Sequence, residues 1–184
     1  MISILVAYTK NKRVIGAQGK IPWKLSSERN RFKQICSGKY VIMGRKSYEE
    51  IGHPLSYCNL VIISSKRITS PAARNETHAS VLPEFCDAKL AQGIHLCTSV
   101  EAAINYCKNQ GQDELLIAGG GSVYEQALPY TDKIYATEIE ADFDGDVFFP
   151  EINPEEWKET VEAVHNENGI EFKYITLERK ADLQ

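Results

Sequence analysis

The 184-residue chain has no apolar run approaching the ~18 residues of a membrane-crossing helix, and Met1 leads straight into a β-rich run rather than a signal peptide. It also lacks a basic excess. Lys and Arg number 21 against 25 Asp and Glu, a net charge of −4, which argues against a general nucleic-acid binder. The five cysteines (Cys36, Cys58, Cys86, Cys97 and Cys107) are odd in number, scattered, and never in CxxC spacing. Neither a zinc site nor a disulfide framework is indicated, and reduced thiols in a cytoplasm are expected. There is no internal repeat, and no disordered tail beyond the last few residues. What remains, 43% hydrophobic and 25% charged residues, is the composition of one soluble globular domain with room for a proper core.

Two nucleotide fingerprints are missing as well, yet their ingredients are present. Leu115 to Ala118 is a short unbroken apolar run, the pattern of a strand buried on both faces. Ser122 to Leu128 reads as a helix with Val123, Ala127 and Leu128 on one side, and Gly119, Gly120 and Gly121 lie between. Adjacent glycines let a backbone turn tightly and approach a ligand without Cβ atoms in the way, and a helix start offers N–H groups to an anion. Tyr124 stands where a dinucleotide fingerprint needs its third glycine, so a phosphate site is expected but a standard Rossmann unit is not. Tyr40 to Met43, a second buried strand, runs into Gly44-Arg45-Lys46-Ser47 at the start of a helix ending near Gly52. Two cations, a hydroxyl and a glycine make another anion site. A Walker A loop is excluded, because Arg45 separates Gly44 from Lys46 and position 39 is Lys.

The rest of the chain alternates strands and helices. Ile2 to Tyr8 reads as a central strand, and Thr9 to Lys24 as a long polar loop of the kind that forms lids, carrying the exposed-looking pair Ile21 and Trp23. Leu25 to Cys36 has helical spacing, with Leu25, Phe32, Ile35 and Cys36 on one stripe and Glu28 aligned with them. A carboxylate on an apolar stripe is costly unless it meets a ligand or partner. The alternative is that Glu28 merely favours the helix start electrostatically. Leu60 to Ile63 and Ile94 to Cys97 are further strands, and Leu82 to Ala91 contains a short helix. Thr98 with Glu101 predicts a capping box before a helix over 100–109. Lys133 to Ile139 is a strand, Asp142 to Pro150 an acidic loop, and 157–164 and 170–177 are two strands joined by the hairpin signal Asn168-Gly169. The sum is an α/β fold: a mainly parallel sheet, helices on both faces, and an antiparallel hairpin at the C-terminal edge.

These stretches together resemble dihydrofolate reductase over nearly the whole chain. The resemblance is carried by Val14-Ile15-Gly16, Ile21-Pro22-Trp23, Val41 to Ser47, Ile51-Gly52 with Pro54-Leu55, Ser64-Ser65, Gly119 to Glu125, Asp144-Gly145-Asp146 and Phe148-Phe149-Pro150. It implies a single domain over residues 1–184, with a longer than usual segment at about 66–93. It also implies hydride transfer from NADPH to C6 of dihydrofolate, with N5 gaining a proton from water. Glu28 would be the carboxylate of the pterin pocket, accepting hydrogen bonds from the 2-amino group and N3. Thr137 would hydrogen-bond that carboxylate, and Trp23 would hold a water beside the pterin. Leu5, Val6, Ala7, Phe32, Ile51, Leu55 and Ala118 would form the apolar slot. For the cofactor, Gly120, Gly121 and Ser122 would meet the pyrophosphate with Ser47. Tyr124 would lie near the nicotinamide with Ile15 closing over it, and Val123 and Ala7 would also contact the cofactor. Arg45, Lys46 and Ser65, with Gly44 and Ser64 beside them, would meet the 2′-phosphate. The 9–24 loop becomes the lid, hydrogen-bonded when closed to the loop holding Asp146. The partners implied are a small-molecule substrate only, with no nucleic acid, no membrane and no second copy.

Two departures stand out. Cys58 occupies the position where the family usually carries an arginine for the folate α-carboxylate, leaving Lys33, Arg29 or His53 to hold the tail. Arg29 itself follows the acid where an apolar residue is common. Competing readings are a reductase of a pterin without the glutamate tail, a pyrimidine reductase of similar fold, and a non-catalytic NADPH-binding module. Glu28 favours a 2-amino-pterin over the pyrimidine, and Glu28, Trp23 and Thr137 together favour an enzyme over a binder.

Overall fold

A computed structural model describes residues 1–64 and 94–181. Ten strands and four helices follow in chain order: β1 (Ile2–Thr9), β2 (Val14–Gly16), α1 (Ser26–Cys36), β3 (Tyr40–Gly44), α2 (Arg45–Ile51), β4 (Asn59–Ile63), β5 (Ile94–Cys97), α3 (Val100–Lys108), β6 (Leu115–Ile117), α4 (Gly121–Ala127), β7 (Lys133–Ile139), β8 (Val147–Phe148), β9 (Trp157–Glu167) and β10 (Ile170–Arg179). Eight of the strands form one sheet in the order β5-β4-β3-β6-β1-β7-β10-β9. The pairs from β5 across to β7 are parallel, whereas β10 runs antiparallel to both β7 and β9.

The apolar runs become central strands because alternate side chains fill two separate cores. Ile4, Ile42, Val61 and Ile117 pack with Val100, Ile104 and Cys107 of α3 and Val123 and Ala127 of α4. Leu5, Met43, Ile62 and Leu116 face the other way, against Cys36 of α1 and Tyr48 of α2. A third cluster of Trp23, Leu25, Ile139 and Phe172 seals the end nearest the lid. At the hairpin, Asn168 and Gly169 both take positive φ, 56° and 78°, the two-residue turn that matches strand twist.

Several expectations need correction. The cap of α3 is Ser99, whose hydroxyl accepts from Ala102 N, and not Thr98. Ser99 has the extended backbone that aims its oxygen at the third helical N–H, while Glu101 accepts from the Tyr130 hydroxyl. The lid is not all loop, since β2 pairs antiparallel with β8. Of the exposed-looking pair, Ile21 is 51% exposed but Trp23 only 5%. The helix expected within 82–91 and the unusual 66–93 segment lie outside the described residues. No disulfide involves Cys36, Cys58, Cys97 or Cys107. Among the described residues, no helix is long and apolar enough to cross a membrane.

Candidate functional site

Parallel strands deliver their C-terminal ends to one edge of the sheet, where an open α/β fold normally places its ligands. There β3 ends at Gly44 and β6 leads into the three glycines. Gly44 N donates to Gly119 O at 2.8 Å, so the two turns lie side by side. The Gly119-Gly120 peptide is cis. A Cβ on Gly119 or Gly120 would come 3.1 Å from Ser47 Oγ, and one on Gly121 would come 2.9 Å from Val147 Cγ1. The cradle is therefore tight for side chains, most of all at Gly121, and its rim carries the Ser47 hydroxyl and the exposed Ser122. Arg45 and Lys46 open α2 on the same edge. Arg45 pairs with Glu49 at 2.6 Å one turn on, while Lys46 is exposed. Ser64 N donates to Cys97 O at the end of β4. Ser65 lies outside the described residues.

Leu5, Phe32, Ile51, Leu55 and Ala118 belong to a single cluster between the sheet and α1 and α2. Ala7 packs instead beside Trp23 and Leu25. Val6 differs. Its side chain packs into the opposite layer with α3 and α4, because a strand reverses face at every residue. Tyr124 is buried, donates its hydroxyl to Leu5 O at 2.8 Å, and packs edge-on against Phe149. Lys33 stands 5.7 Å over the Tyr57 ring, beside Cys58.

Glu28 sits in the first turn of α1. Its carboxylate takes no hydrogen bond from the described residues, and burial pushes its pKa above the ordinary value against the pull of Arg31 and Arg29. Trp23 Nε1 is likewise buried with no partner among the described residues. Thr137, expected to meet Glu28, has Arg31 as its recorded partner: Arg31 Nη1 lies 3.4 Å from Thr137 Oγ1 and 3.1 Å from Ala136 O.

Arg31 is absent from the expected site, and so are the two carboxylates that β9 sends to α1. Glu162 Oε2 accepts from Arg31 Nη2 at 3.1 Å. Glu167 accepts from Ser26 N at 2.6 Å, Ser27 N at 2.9 Å and Ser27 Oγ at 2.6 Å, capping a helix whose own N-cap residue, Leu25, makes no side-chain cap. Those bonds hold its pKa near 2. The available signal is Arg31 itself, one helical turn beyond Glu28, where a cation meets whatever faces the acid.

The lid is tied down on both sides. Asp146 Oδ1 and Oδ2 each accept from Gln18 N at 3.2 Å, and Asp146 N donates to Gly16 O at 3.1 Å. Ile21 N donates to Glu50 Oε1 at 2.8 Å, fastening the far end to α2. Ile15 comes close to Gly121, its Cδ1 3.9 Å from where a Cβ would stand. These contacts match the closed arrangement that the resemblance implies.

A family model described as dihydrofolate reductase matches residues 1–92 and 81–179. Among curated proteins, the chain is 33% identical to a dihydrofolate reductase of Haemophilus influenzae over 181 residues, covering 97% of this chain and 98% of that one. It is 36% identical to a dihydrofolate reductase of Staphylococcus haemolyticus over 170 residues, covering 92% and 86%. A dihydrofolate reductase of Bacillus subtilis is 31% identical over 183 residues, covering 98% and 95%.

Proposed function

Since the chain belongs to the dihydrofolate reductase family, we propose that it reduces 7,8-dihydrofolate to tetrahydrofolate with NADPH, acting as a cytoplasmic monomer folded as one domain over residues 1–184. The observation that carries this reading is Glu28, a half-buried carboxylate in the first turn of α1 that takes no hydrogen bond from the described residues. An acid withdrawn from water without donors costs stability, and a ligand that brings donors to it would repay that cost.

The glycine cradle fits a dinucleotide pyrophosphate, because Gly119, Gly120 and Gly121 lie where a Cβ would crowd Ser47 or Val147 and leave the backbone open to a ligand. Gly120, Gly121, Ser122 and Ser47 would hold that group, with Val123 packing behind it. Arg45 and Lys46, with Ser64 and Ser65, would meet a 2′-phosphate, and Gly44 leaves the backbone room to approach. Ile15, Ala7 and Tyr124 would border the nicotinamide. When bound, NADPH supplies the hydride that C6 of the pterin receives.

The chain's own residues then orient and polarise the substrate. Glu28 accepts from the 2-amino group and N3, which fixes the ring and favours its protonated, electrophilic form. Trp23 Nε1 holds a water close to the ring, giving a buried donor its acceptor. Leu5, Phe32, Ile51, Leu55 and Ala118 exclude bulk water, and the backbone of Val6 edges the slot. Thr137 supports Glu28 from β7. Lys33, which stands over the Tyr57 ring next to Cys58 in the chain, would be the cation for the tail.

The test is loss of NADPH absorbance on adding dihydrofolate. Wild type should turn over, and no turnover with either dihydrofolate or a tail-less dihydropterin would defeat the reading. Cys58 favours one alternative, a pterin without a glutamate tail, and a much better rate with the truncated compound would establish it.

A further inference from the structure

The lid is held by one carboxylate to which the reduction has so far given no part. The tip of the lid, residues 17–20, closes on itself. Ala17 N donates to Lys20 O at 2.8 Å, and Lys20 N to Ala17 O at 3.0 Å. Gln18 and Gly19 between them both take positive φ, 51° and 76°. Reciprocal bonds around two such residues make a tight turn that moves as one piece. Asp146 grips that turn at Gln18 N. Directly after the turn, Ile21 N donates to Glu50 Oε1 at 2.8 Å.

Glu50 is badly placed for α2 itself. It stands in the last turn of that helix, where the carbonyl end of the dipole disfavours a carboxylate, and no basic residue lies in that turn. Its neighbour Glu49 is offset by Arg45 one turn back. Glu50 is spent on the lid instead. On the lid side, Ile21 precedes Pro22. A residue before proline is held extended, and proline fixes its own φ. Holding the Ile21 amide therefore also sets how the chain enters Trp23, the buried indole whose Nε1 has no partner among the described residues. On the α2 side, Glu50 adjoins Ile51 of the apolar slot and lies about one turn from Ser47 at the glycine cradle.

We propose that Glu50 is a positioning residue for the reduction: its carboxylate latches the lid to α2 and, with Asp146 on the other side, keeps residues 17–23 closed over pterin and nicotinamide. This deepens the reading of the chain as a dihydrofolate reductase and rests on it. The two carboxylates hold one stiff turn from two separate elements, so loosening the Glu50 side also loosens the grip at Gln18. A closed lid excludes water, and what lies beneath it leaves only when it opens.

The experiment follows the Ile21 and Gln18 amides by solvent-exchange NMR in the free protein, comparing Glu50→Ala and Glu50→Gln with wild type. In Glu50→Ala both amides should exchange roughly 3- to 10-fold faster, the effect of losing one exposed hydrogen bond to a charged group. Glu50→Gln keeps an acceptor oxygen at the same reach and should fall between Ala and wild type. NADPH should leave Glu50→Ala several-fold faster in a chase, since release waits for the lid. The melting temperature should hold, because the side chain is exposed. An Ile21 amide that exchanges no faster in Glu50→Ala overturns the proposal. So does faster exchange confined to Ile21 with NADPH release unchanged, which would make the bond purely local. A Gln variant as loose as Ala, or a melting temperature that falls along with the kinetics, overturns it too. Failure of the functional reading looks different: wild type would not reduce dihydrofolate, while exchange at Ile21 and Gln18 would still respond to Glu50.

Discussion

Two partly buried glutamates, Glu28 and Glu114, lie toward opposite ends of the sheet and have opposite chemistry. Glu114 stands just before β6, at the N-terminal end of the parallel strands. It accepts from Ser3 Oγ at 2.6 Å and the Tyr135 hydroxyl at 3.1 Å, and it forms an ion pair with Lys39. Burial alone would raise its pKa, yet the bonds from Lys39 and Ser3, the Lys39 charge and the Tyr135 bond outweigh that and lower it. At the other end Glu28 is buried without such bonds and is pushed up. One acid has been given everything it needs by the fold. The other has been left without such bonds, as the ligand role proposed for it requires.

The largest expected effect breaks the comparison at Glu28. Glu28→Gln keeps the shape and removes the charge that favours a protonated pterin. Turnover at pH 7 should fall by ~10² or more, with partial recovery at low pH. Stability should go the other way. A carboxyl whose folded pKa is raised favours the native state most fully below its unfolded pKa, and that advantage is lost as pH rises through the folded value. The Gln variant should therefore melt at or above the wild-type temperature at pH 7, and the gap should close on acidification. Melting curves at several pH values, beside steady-state rates, check both halves.

Next in size is the phosphate edge. Arg45 now pairs with Glu49, and a 2′-phosphate must compete for it. Charge-assisted hydrogen bonds contribute about 1.5–3 kcal/mol each, so Arg45→Ala should weaken NADPH binding about 10- to 100-fold and leave NADH nearly unchanged. Equal losses for both cofactors in a binding titration would mean that Arg45 reads something other than the phosphate.

Glu114 supplies the converse of Glu28. Glu114→Gln should cost about 1–2 kcal/mol, the range for hydrogen bonds to a charged group after allowance for solvent screening. Its depressed pKa means the stabilisation is present above the ordinary glutamate range and disappears as pH falls through the folded value. The variant should melt a few degrees lower at neutral pH, converge on wild type in acid, and keep its kcat. A large loss of kcat would show that the two ends of the sheet are not separable in this way.

This contrast also explains how much can be read from sequence. The strands at 40–43, 60–63 and 115–118 are legible to within a residue, because buried parallel strands write themselves as unbroken apolar runs. The same unbroken runs hide which face each residue takes, and so the pattern puts Val6 in the slot when it packs on the other side. Glu28 is legible as a charge on an apolar stripe. Arg31 is not, since its burial depends on Glu162, Thr137 and Tyr174, all more than 100 residues away in sequence. The pairing of β2 with β8 is hidden for the same reason: two or three residues carry no period, and their partners lie some 130 positions apart. Trp23 looks exposed amid polar neighbours, but Leu25, Ile139 and Phe172 enclose it.

The smallest effect is expected at the folate tail, where the site departs from its family's pattern. Cys58 is half-buried, its thiol points toward Leu55 O at 3.9 Å, and desolvation pushes its pKa up to about 12. It is therefore a neutral thiol at any working pH and cannot grip a carboxylate as a guanidinium does. Lys33, over the Tyr57 ring, offers a point charge in water, worth less than a bidentate pair. The tail lies far from C6, so weak grip there should raise KM and leave kcat alone. Cys58→Arg should lower KM for dihydrofolate several-fold at unchanged kcat, the pattern of binding that is equal in ground and transition states. Lys33→Ala should raise KM in the wild-type background and matter less in the Cys58→Arg background, because the two cations would serve one carboxylate. If Cys58→Arg changes neither constant, the tail is held elsewhere or is absent from the natural substrate. Steady-state kinetics of the two single variants and the double variant, with dihydrofolate and with a tail-less dihydropterin, separate those outcomes.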